Sequence, residues 1–177
     1  MTSLDIGCGP AHRGDVGMDL FGGPGVVRHD LCDFPWPFEP GTFDRVTAYD
    51  VLEHVRWSEA SEHEENLPRL FREVHRVLRR GGVFEIQVPH AANWSAVGIP
   101  THRRMFNEYS FRYFADGWAH GGSAACRAMP VFRVCRVTVE RRFPGSYQLR
   151  TRAPPVYRVA RALRVGRPDV VRAELVK

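Results

Sequence analysis

Near its start the sequence reads Leu4-Asp5-Ile6-Gly7-Cys8-Gly9-Pro10, an apolar strand that runs into two closely spaced glycines. Glycine adopts positive φ angles without strain and lets a ligand approach the backbone, so this turn predicts a binding loop at a strand end. Two further predicted strands end in acidic residues, at Asp19 and Asp30. A carboxylate at such a position can accept hydrogen bonds from ribose hydroxyls or an adenine amino group. With Asp5, they predict a nucleoside pocket at the carboxyl edge of a sheet.

The spacing of this loop argues against a dinucleotide-binding motif. That motif has a third glycine where this chain has His12, and an acidic residue about 20 residues further on. Asp19 follows Gly9 by only ten residues. A pyrophosphate would also need an ordered helix N-terminus at this turn. A nucleoside ligand without phosphate therefore fits the sequence better.

The rest of the chain alternates short strands with one clear helix. Apolar residues from Leu67 to Leu78 recur at helical spacing, with Asn66 as the N-cap and Gly81-Gly82 as the end. Alternating strands and helices predict an α/β protein with a parallel sheet. Later strands are predicted at residues 43–50, 83–88, 131–142 and 170–176, and short helices at residues 107–114 and 155–164.

Composition indicates one globular domain, spanning residues 1–177. No apolar run reaches the ~18–20 residues of a membrane helix, and the N-terminus lacks the basic-then-apolar pattern of a secretory signal. The four cysteines form no CxxC pair and no zinc-like spacing. These features favour reduced thiols, a cytoplasmic location, no membrane partner and no bound metal.

Arginine dominates the C-terminal third of the chain. Residues 127–177 contain 12 arginines and one lysine against three acidic residues, a net charge of +10, whereas the whole chain carries +5. Such asymmetry can mark a surface for an anionic partner such as RNA. Because these arginines are scattered, an arginine-rich coding bias with solvated charges is the preferred interpretation, and nucleic acid is the less favoured partner.

Five motifs occur in an order that is typical of one known family. They are residues 4–10 (LDIGCGP), 29–38 (HDLCDFPWPF), 42–46 (TFDRV), 50–55 (DVLEHV) and 71–82 (FREVHRVLRRGG). With these motifs the chain, up to about residue 90, resembles the class I S-adenosylmethionine-dependent methyltransferases. The resemblance implies a Rossmann-like sheet, mostly parallel with an antiparallel last strand, and S-adenosyl-L-methionine as cofactor. It also implies a cofactor-binding half at 1–90, substrate-side loops at 91–130, and C-terminal strands and a helix at 131–177.

The resemblance further implies which residues bind the cofactor. Asp5, Gly7 and Gly9 match positions at the methionine end, Asp19 matches the ribose ligand, and Asp30 matches the adenine contact. The segment Tyr49-Asp50 would lie under the methionine moiety. With their neighbours, the predicted cofactor-binding residues are Asp5, Gly7, Cys8, Gly9, Asp19, Leu20, Asp30, Leu31, Tyr49, Asp50 and His54. Glu53-His54 could equally be a helix-start pair without a chemical role.

The chain departs from this family in its connections. Only nine residues, 7–15, separate the first two strands, and only six, 20–25, separate the next two. A crossover with a helix needs at least about 10–12 residues. The strand at 83–88 also alternates polar and apolar residues, which indicates a sheet with one polar face. We therefore expect reduced helices on one face of the sheet, with Arg45 and Glu85 exposed there. Residues 155–164 or a second copy of the chain would cover part of this face, in a monomer or a homodimer, and the polar alternation favours cover by residues 155–164.

Sequence motifs that the chain lacks restrict the class of molecule that could accept the methyl group. No Asp/Asn-Pro-Pro-aromatic motif follows the fourth strand, and no Pro-Cys dipeptide occurs, which disfavours base methylation. An oxygen or nitrogen of a small-molecule or glycan-like acceptor is favoured. An RNA-directed methyltransferase and a non-catalytic S-adenosylmethionine-binding partner protein remain as alternatives. His90 and His102 are the candidate general bases, because histidine suits proton removal near neutral pH. Each could instead be a structural hydrogen-bonding residue.

Overall fold

A computed structural model of the chain describes residues 1–57, 66–114, 132–142 and 167–177. Its strands are β1 (Ser3–Ile6), β2 (Val16–Asp19), β3 (Val26–Arg28), β4 (Phe43–Tyr49), β5 (Leu78–Pro89), β6 (Arg133–Arg142) and β7 (Arg167–Val176). Its helices are α1 (Asn66–Val77) and α2 (Trp94–Gly98), with 3-10 helices at Leu52–His54 and Ser110–Phe114. No described helix is long and apolar enough to span a bilayer.

The seven strands within the described residues belong to one sheet, in the order β3-β2-β1-β4-β5-β7-β6. The first five strands pair in parallel. Strand β7 lies antiparallel to both β5 and β6. The predicted α/β fold, with a mostly parallel sheet and an antiparallel last strand, is confirmed. Because β1 to β5 run in the same direction, the loops after them meet at one edge, where ligands bind in folds of this kind.

The helix α1 covers one face of the sheet. Its apolar stripe is buried, and the Phe71 ring lies 5.4 Å from the Phe84 ring of β5. Each fully buried Leu, Val or Phe side chain stabilises the fold by roughly 1.5–3 kcal/mol. The prediction that Gly81-Gly82 ends the helix was wrong. The helix ends at Val77, because Leu78 already pairs with Phe43 of β4 and the glycines lie within β5.

The opposite face is polar, as predicted. Residues 7–15 and 20–25 form connections without a helix. Arg45 of β4 forms an ion pair with Glu85 of β5, and their side chains remain 52% and 26% exposed. The expected cover by residues 155–164 lies outside the described residues. The missing crossover helices follow from the short connections, which leave too few residues for a helical turn and a return to the sheet.

This exposure predicts a small effect of Arg45→Ala. Exposed ion pairs on neighbouring strands contribute about 0.2–1 kcal/mol. The matched control, Val46→Ala, alters a fully buried residue of the same strand. Removing its methyl groups should cost about 2 kcal/mol, because transfer and cavity terms add. Urea denaturation of both variants measures the difference, and a larger loss for Arg45→Ala would contradict the open polar face.

Candidate active site

The turn after β1 has two glycines with different surroundings. Gly7 and Gly9 have φ angles of 62° and 63°, in the left-handed region that favours glycine. A Cβ atom on Gly7 would lie 2.1 Å from Cγ2 of Val51, whereas one on Gly9 would meet no heavy atom within 4 Å. Gly7 therefore packs against the protein, and Gly9 presents open backbone surface to a ligand.

Asp19, at the end of β2, braces this turn. Its Oδ2 accepts a hydrogen bond of 2.9 Å from the Gly9 backbone N–H, and its Oδ1 accepts one of 3.0 Å from Phe21. Each carboxylate oxygen keeps a further acceptor site, so the group can also receive two hydroxyls. Leu20 and Phe21 are exposed beside it and offer apolar surface. Burial, with Asp5 and Asp19 nearby, raises the pKa of the Cys8 thiol, so Cys8 stays protonated.

Asp5 and Tyr49 are engaged by other residues of the protein. The buried Asp5 carboxylate accepts hydrogen bonds from the Thr47 hydroxyl (2.7 Å) and from the Arg13 backbone N–H (2.8 Å). The Tyr49 hydroxyl donates to Glu85, and burial together with this bond raises its pKa to about 12. These contacts give both residues a positioning role, in which Asp5 holds the loop after β1 against β4.

Asp30 follows β3 at the same edge of the sheet. Its Oδ1 accepts a hydrogen bond from the Cys32 backbone N–H, and its Oδ2 lies 2.9 Å from a guanidinium nitrogen of Arg56. The neighbouring Leu31 packs against the core. The predicted adenine contact of Asp30 would therefore be shared with Arg56, a partner that sequence spacing does not reveal.

Asp50 turns the chain sharply after β4. Its φ of 55° is unusual for a residue other than glycine, and asparagine and aspartate tolerate it best. The turn is held by two contacts with Gln87, whose carbonyl accepts from the Asp50 backbone and whose amide donates to the Asp50 carboxylate (2.8 Å). The turn brings Val51 against Gly7 and starts the 3-10 helix Leu52–His54.

That 3-10 helix contributes two members of a three-residue group, here called the Glu53 cluster: Glu53, His54 and His102. Glu53 is 2% exposed, and its Oε1 lies 4.0 Å from Nε2 of His102. The rings of His54 and His102 meet edge to face at 4.7 Å. Burial raises the pKa of Glu53 to about 7. Burial, together with His54, lowers the pKa of His102, which keeps its imidazole neutral.

Backbone hydrogen bonds hold the cluster together. The carbonyl of Glu53 accepts from the backbone N–H groups of Arg103 and Arg104. Nδ1 of His54 lies 3.1 Å from the carbonyl of Thr101. The loop that carries His102 is thus pinned to the 3-10 helix. In the sequence, Glu53-His54 had either a cofactor-related role or that of a helix-start pair, and no fixed spacing links Glu53 to His102.

His90, the other candidate base, has a different environment. It is buried after β5, its Nε2 lies 3.0 Å from a carboxylate oxygen of Glu108, and its Nδ1 accepts from the Ala92 backbone (2.9 Å). Its own backbone N–H donates to Asp169. Because the Nδ1 lone pair is already used, the geometry favours a structural role for His90. The two candidate bases therefore have different surroundings: the ring of His90 is held by Glu108 and the Ala92 backbone, whereas His102 lies beside the buried carboxylate of Glu53.

The strand order and the glycine turn with its acidic edge together define a Rossmann-like methyltransferase fold. Residues 12–86 match the family described as a methyltransferase domain. The structure is similar to S-adenosylmethionine-dependent methyltransferases from Archaeoglobus fulgidus (16% identity, 99% of this chain and 85% of that chain, TM-score 0.59) and Mesorhizobium loti (19%, 99% and 90%, TM-score 0.56). It also resembles the cyclase SpnF (14%, 99% and 73%, TM-score 0.53). A search of curated proteins gives no match.

A match to a methyltransferase-domain family over residues 12–86, with a fold shared by S-adenosylmethionine-dependent methyltransferases, supports methyl transfer from S-adenosylmethionine as the activity. These matches support the predicted family, activity class and cofactor. The residues present also fit the cofactor, because Gly9 offers open backbone and Asp19 retains acceptor sites for the ribose. These structures are less than 20% identical to the chain and one of them is a cyclase, so the shared fold does not identify the acceptor.

Proposed function

We propose that the enzyme methylates an oxygen or nitrogen atom of a small-molecule or glycan-like acceptor. The observation that supports this proposal is the Glu53 cluster, which begins three residues after Asp50 at the carboxyl edge of the sheet. S-adenosylmethionine supplies an electrophilic methyl group when it is bound. Asp19 would accept hydrogen bonds from its ribose hydroxyls, Gly9 would face it with open backbone, and Asp30 would reach its adenine.

A hydroxyl or amine acceptor must lose a proton when its heteroatom is methylated, and the cluster can supply the group that receives it. His102 is neutral near pH 7 because burial lowers its pKa. A neutral imidazole within reach of the acceptor can remove a proton, whereas the Nδ1 lone pair of His90 is already used. We therefore assign proton removal to the Glu53 cluster through His102, and a positioning role to His90.

Binding and transfer experiments test this function. By calorimetry, S-adenosylmethionine and its demethylated product should each bind with 1:1 stoichiometry, and NAD should not bind, because the turn lacks the dinucleotide spacing. A radiolabelled methyl donor, incubated with fractionated lysate, should label material in the small-molecule or glycan fraction. Label found in RNA alone, or NAD that binds more tightly than S-adenosylmethionine, would overturn the proposal.

Asp19→Ala tests the ribose contact. The substitution removes an acceptor of two hydroxyl hydrogen bonds and the brace on Gly9, so S-adenosylmethionine affinity should fall at least about tenfold. Asp15→Ala is the matched control, because Asp15 also accepts hydrogen bonds, from the backbone and side chain of Ser3, but away from the glycine turn. Calorimetry compares the two variants. A loss of under about threefold for Asp19→Ala would show that Asp19 does not hold the ribose.

The cytoplasm is the compartment that we propose for this activity. Cys8 and Cys32 are free thiols in the described part of the chain. Thiols of this kind persist in reducing compartments.

The polar face around Arg45 favours a monomer over a homodimer, and sedimentation measures which of the two forms in solution.

A further inference from the structure

The Glu53 cluster brings three metal-ligating side chains to one point. One ligand atom from each of Glu53, His54 and His102 lies within 4.8 Å of the other two. A tetrahedral ion with bonds of about 2.0–2.1 Å would hold its ligand atoms about 3.3 Å apart. The three ligand atoms would therefore have to move closer together by about an ångström to bind an ion, and rotation of the side chains is enough for this movement.

Two buried atoms of the cluster lack partners. Among the described residues, Oε2 of Glu53 and Nδ1 of His102 are the buried side-chain atoms without a hydrogen bond. The side chains that carry them are only 2% and 5% exposed. Buried polar atoms in folded proteins are nearly always satisfied by protein, water or an ion. Both orphaned atoms belong to the same cluster, in which Oε1 of Glu53 faces Nε2 of His102, so each of these side chains keeps unused ligand capacity.

His54 is already oriented as a metal ligand. Its Nδ1 lies 3.1 Å from the Thr101 carbonyl, which can only accept, so Nδ1 carries the proton and Nε2 keeps its lone pair. A backbone carbonyl that fixes the outer nitrogen is the usual support of a ligating histidine. His54 is also the exposed member of the cluster, which gives an ion a route in from solvent.

We propose that Glu53, His54 and His102 bind a divalent zinc-class cation. Two imidazoles and one carboxylate form a donor set that suits zinc and related transition metals and is poorly suited to magnesium or calcium, which prefer oxygen ligands. Three protein ligands leave a fourth position open, which is the arrangement of catalytic rather than structural zinc sites. The lack of zinc-like cysteine spacing predicted no metal, and no sequence pattern links Glu53-His54 to His102, which is remote from them in the chain.

The inference deepens the proposed function and rests on it for its chemical purpose. An acceptor hydroxyl or amine at the open position would have its pKa lowered by the cation, which makes loss of its proton easier. With its one lone pair on the cation, His102 would promote proton loss as a ligand rather than as the base, and the proton would pass to water. Metal binding itself requires neither the cofactor nor the acceptor, so it can be measured separately.

Zinc binding by tag-free, chelator-treated protein tests the site. We expect one zinc ion per chain by elemental analysis, together with a rise in the thermal unfolding midpoint, because the cation binds only the folded arrangement. Glu53→Gln and His102→Asn should each weaken zinc binding at least about 100-fold in competition with a chromophoric chelator. The glutamine and asparagine side chains are close in size to those they replace, so circular dichroism should remain native.

His75→Gln is the matched control. His75 is a half-buried histidine of α1 whose ring packs against Phe132, so this variant removes an imidazole while it leaves the Glu53 cluster intact. Its zinc affinity should equal that of the unmodified chain. Equal zinc affinity in Glu53→Gln, His102→Asn and His75→Gln would overturn the site, as would failure of the unmodified chain to bind zinc.

The metal site and the proposed function can fail independently. Persistent methyl transfer to a small-molecule acceptor in a chain that binds no zinc would overturn the metal site and leave the proposed function standing. The opposite result is that the chain binds one zinc ion, that Glu53→Gln loses it, and that no small-molecule or glycan acceptor is methylated. This result would support the metal site and overturn the proposed function.

Discussion

His102→Ala is expected to lower turnover about a hundredfold or more, while the affinity for S-adenosylmethionine stays within about twofold. His102 lies in the Glu53 cluster, and no described contact joins it to the glycine turn or to Asp19. Its loss should therefore affect proton removal from the acceptor rather than cofactor binding. Single-turnover transfer of a labelled methyl group, with the acceptor found in lysate, measures the rate, and calorimetry measures the affinity.

His90→Ala serves as the comparison for this experiment. Its ring joins Glu108 to the Ala92 backbone, so the substitution should lower the free energy of unfolding by roughly 1–3 kcal/mol, because buried partners are left unsatisfied. Turnover by the folded fraction should fall much less than in His102→Ala. A hundredfold loss in His90→Ala with unchanged turnover in His102→Ala would reverse the two assignments.

Much of the fold could be predicted because its signals are local. The glycines after β1 and the acids after β2 and β3 lie within a few residues of their strands, and short connections leave no room for crossover helices. The alternation that exposes Arg45 and Glu85 follows directly from the two-residue period of a strand. The end of α1 was less predictable, because pairing of Leu78 with Phe43 outweighed the helix-ending tendency of Gly81-Gly82.

The site was predicted less completely, because its decisive contacts join distant parts of the chain. Asp30 meets Arg56 only because the 3-10 helix after β4 folds back towards the end of β3. Glu53 meets His102 only because the loop after α2 is pinned to that helix by the backbone of Arg103. Neither contact leaves a fixed spacing in the sequence. The electrostatic consequence, a glutamate whose pKa burial raises to about 7, arises entirely from this tertiary packing.

The glycine turn and the cluster are also mechanically connected, through Val51. This residue follows the strained Asp50, packs against Gly7 and leads directly into Glu53 and His54. Any displacement of the turn at Gly7 should therefore be transmitted to the start of the 3-10 helix. Gly7 and Gly9 have nearly the same φ, so substitution at each carries nearly the same backbone strain. They differ in their surroundings, because a Cβ atom would meet Val51 at Gly7 and open space at Gly9. Substitutions at the two positions therefore test packing and ligand approach separately.

Gly7→Ala should destabilise the protein by about 2–5 kcal/mol, because left-handed strain of about 1–2 kcal/mol adds to overpacking against Val51. Gly9→Ala should cost only the strain, about 1–2 kcal/mol, because its Cβ enters open space. That open space is where the cofactor should meet the backbone, so Gly9→Ala should weaken S-adenosylmethionine binding at least about tenfold. Urea denaturation and calorimetry measure the two effects. Equal losses of stability would mean that Val51 moves aside without cost, and unchanged cofactor affinity in Gly9→Ala would show that this backbone surface does not face the cofactor.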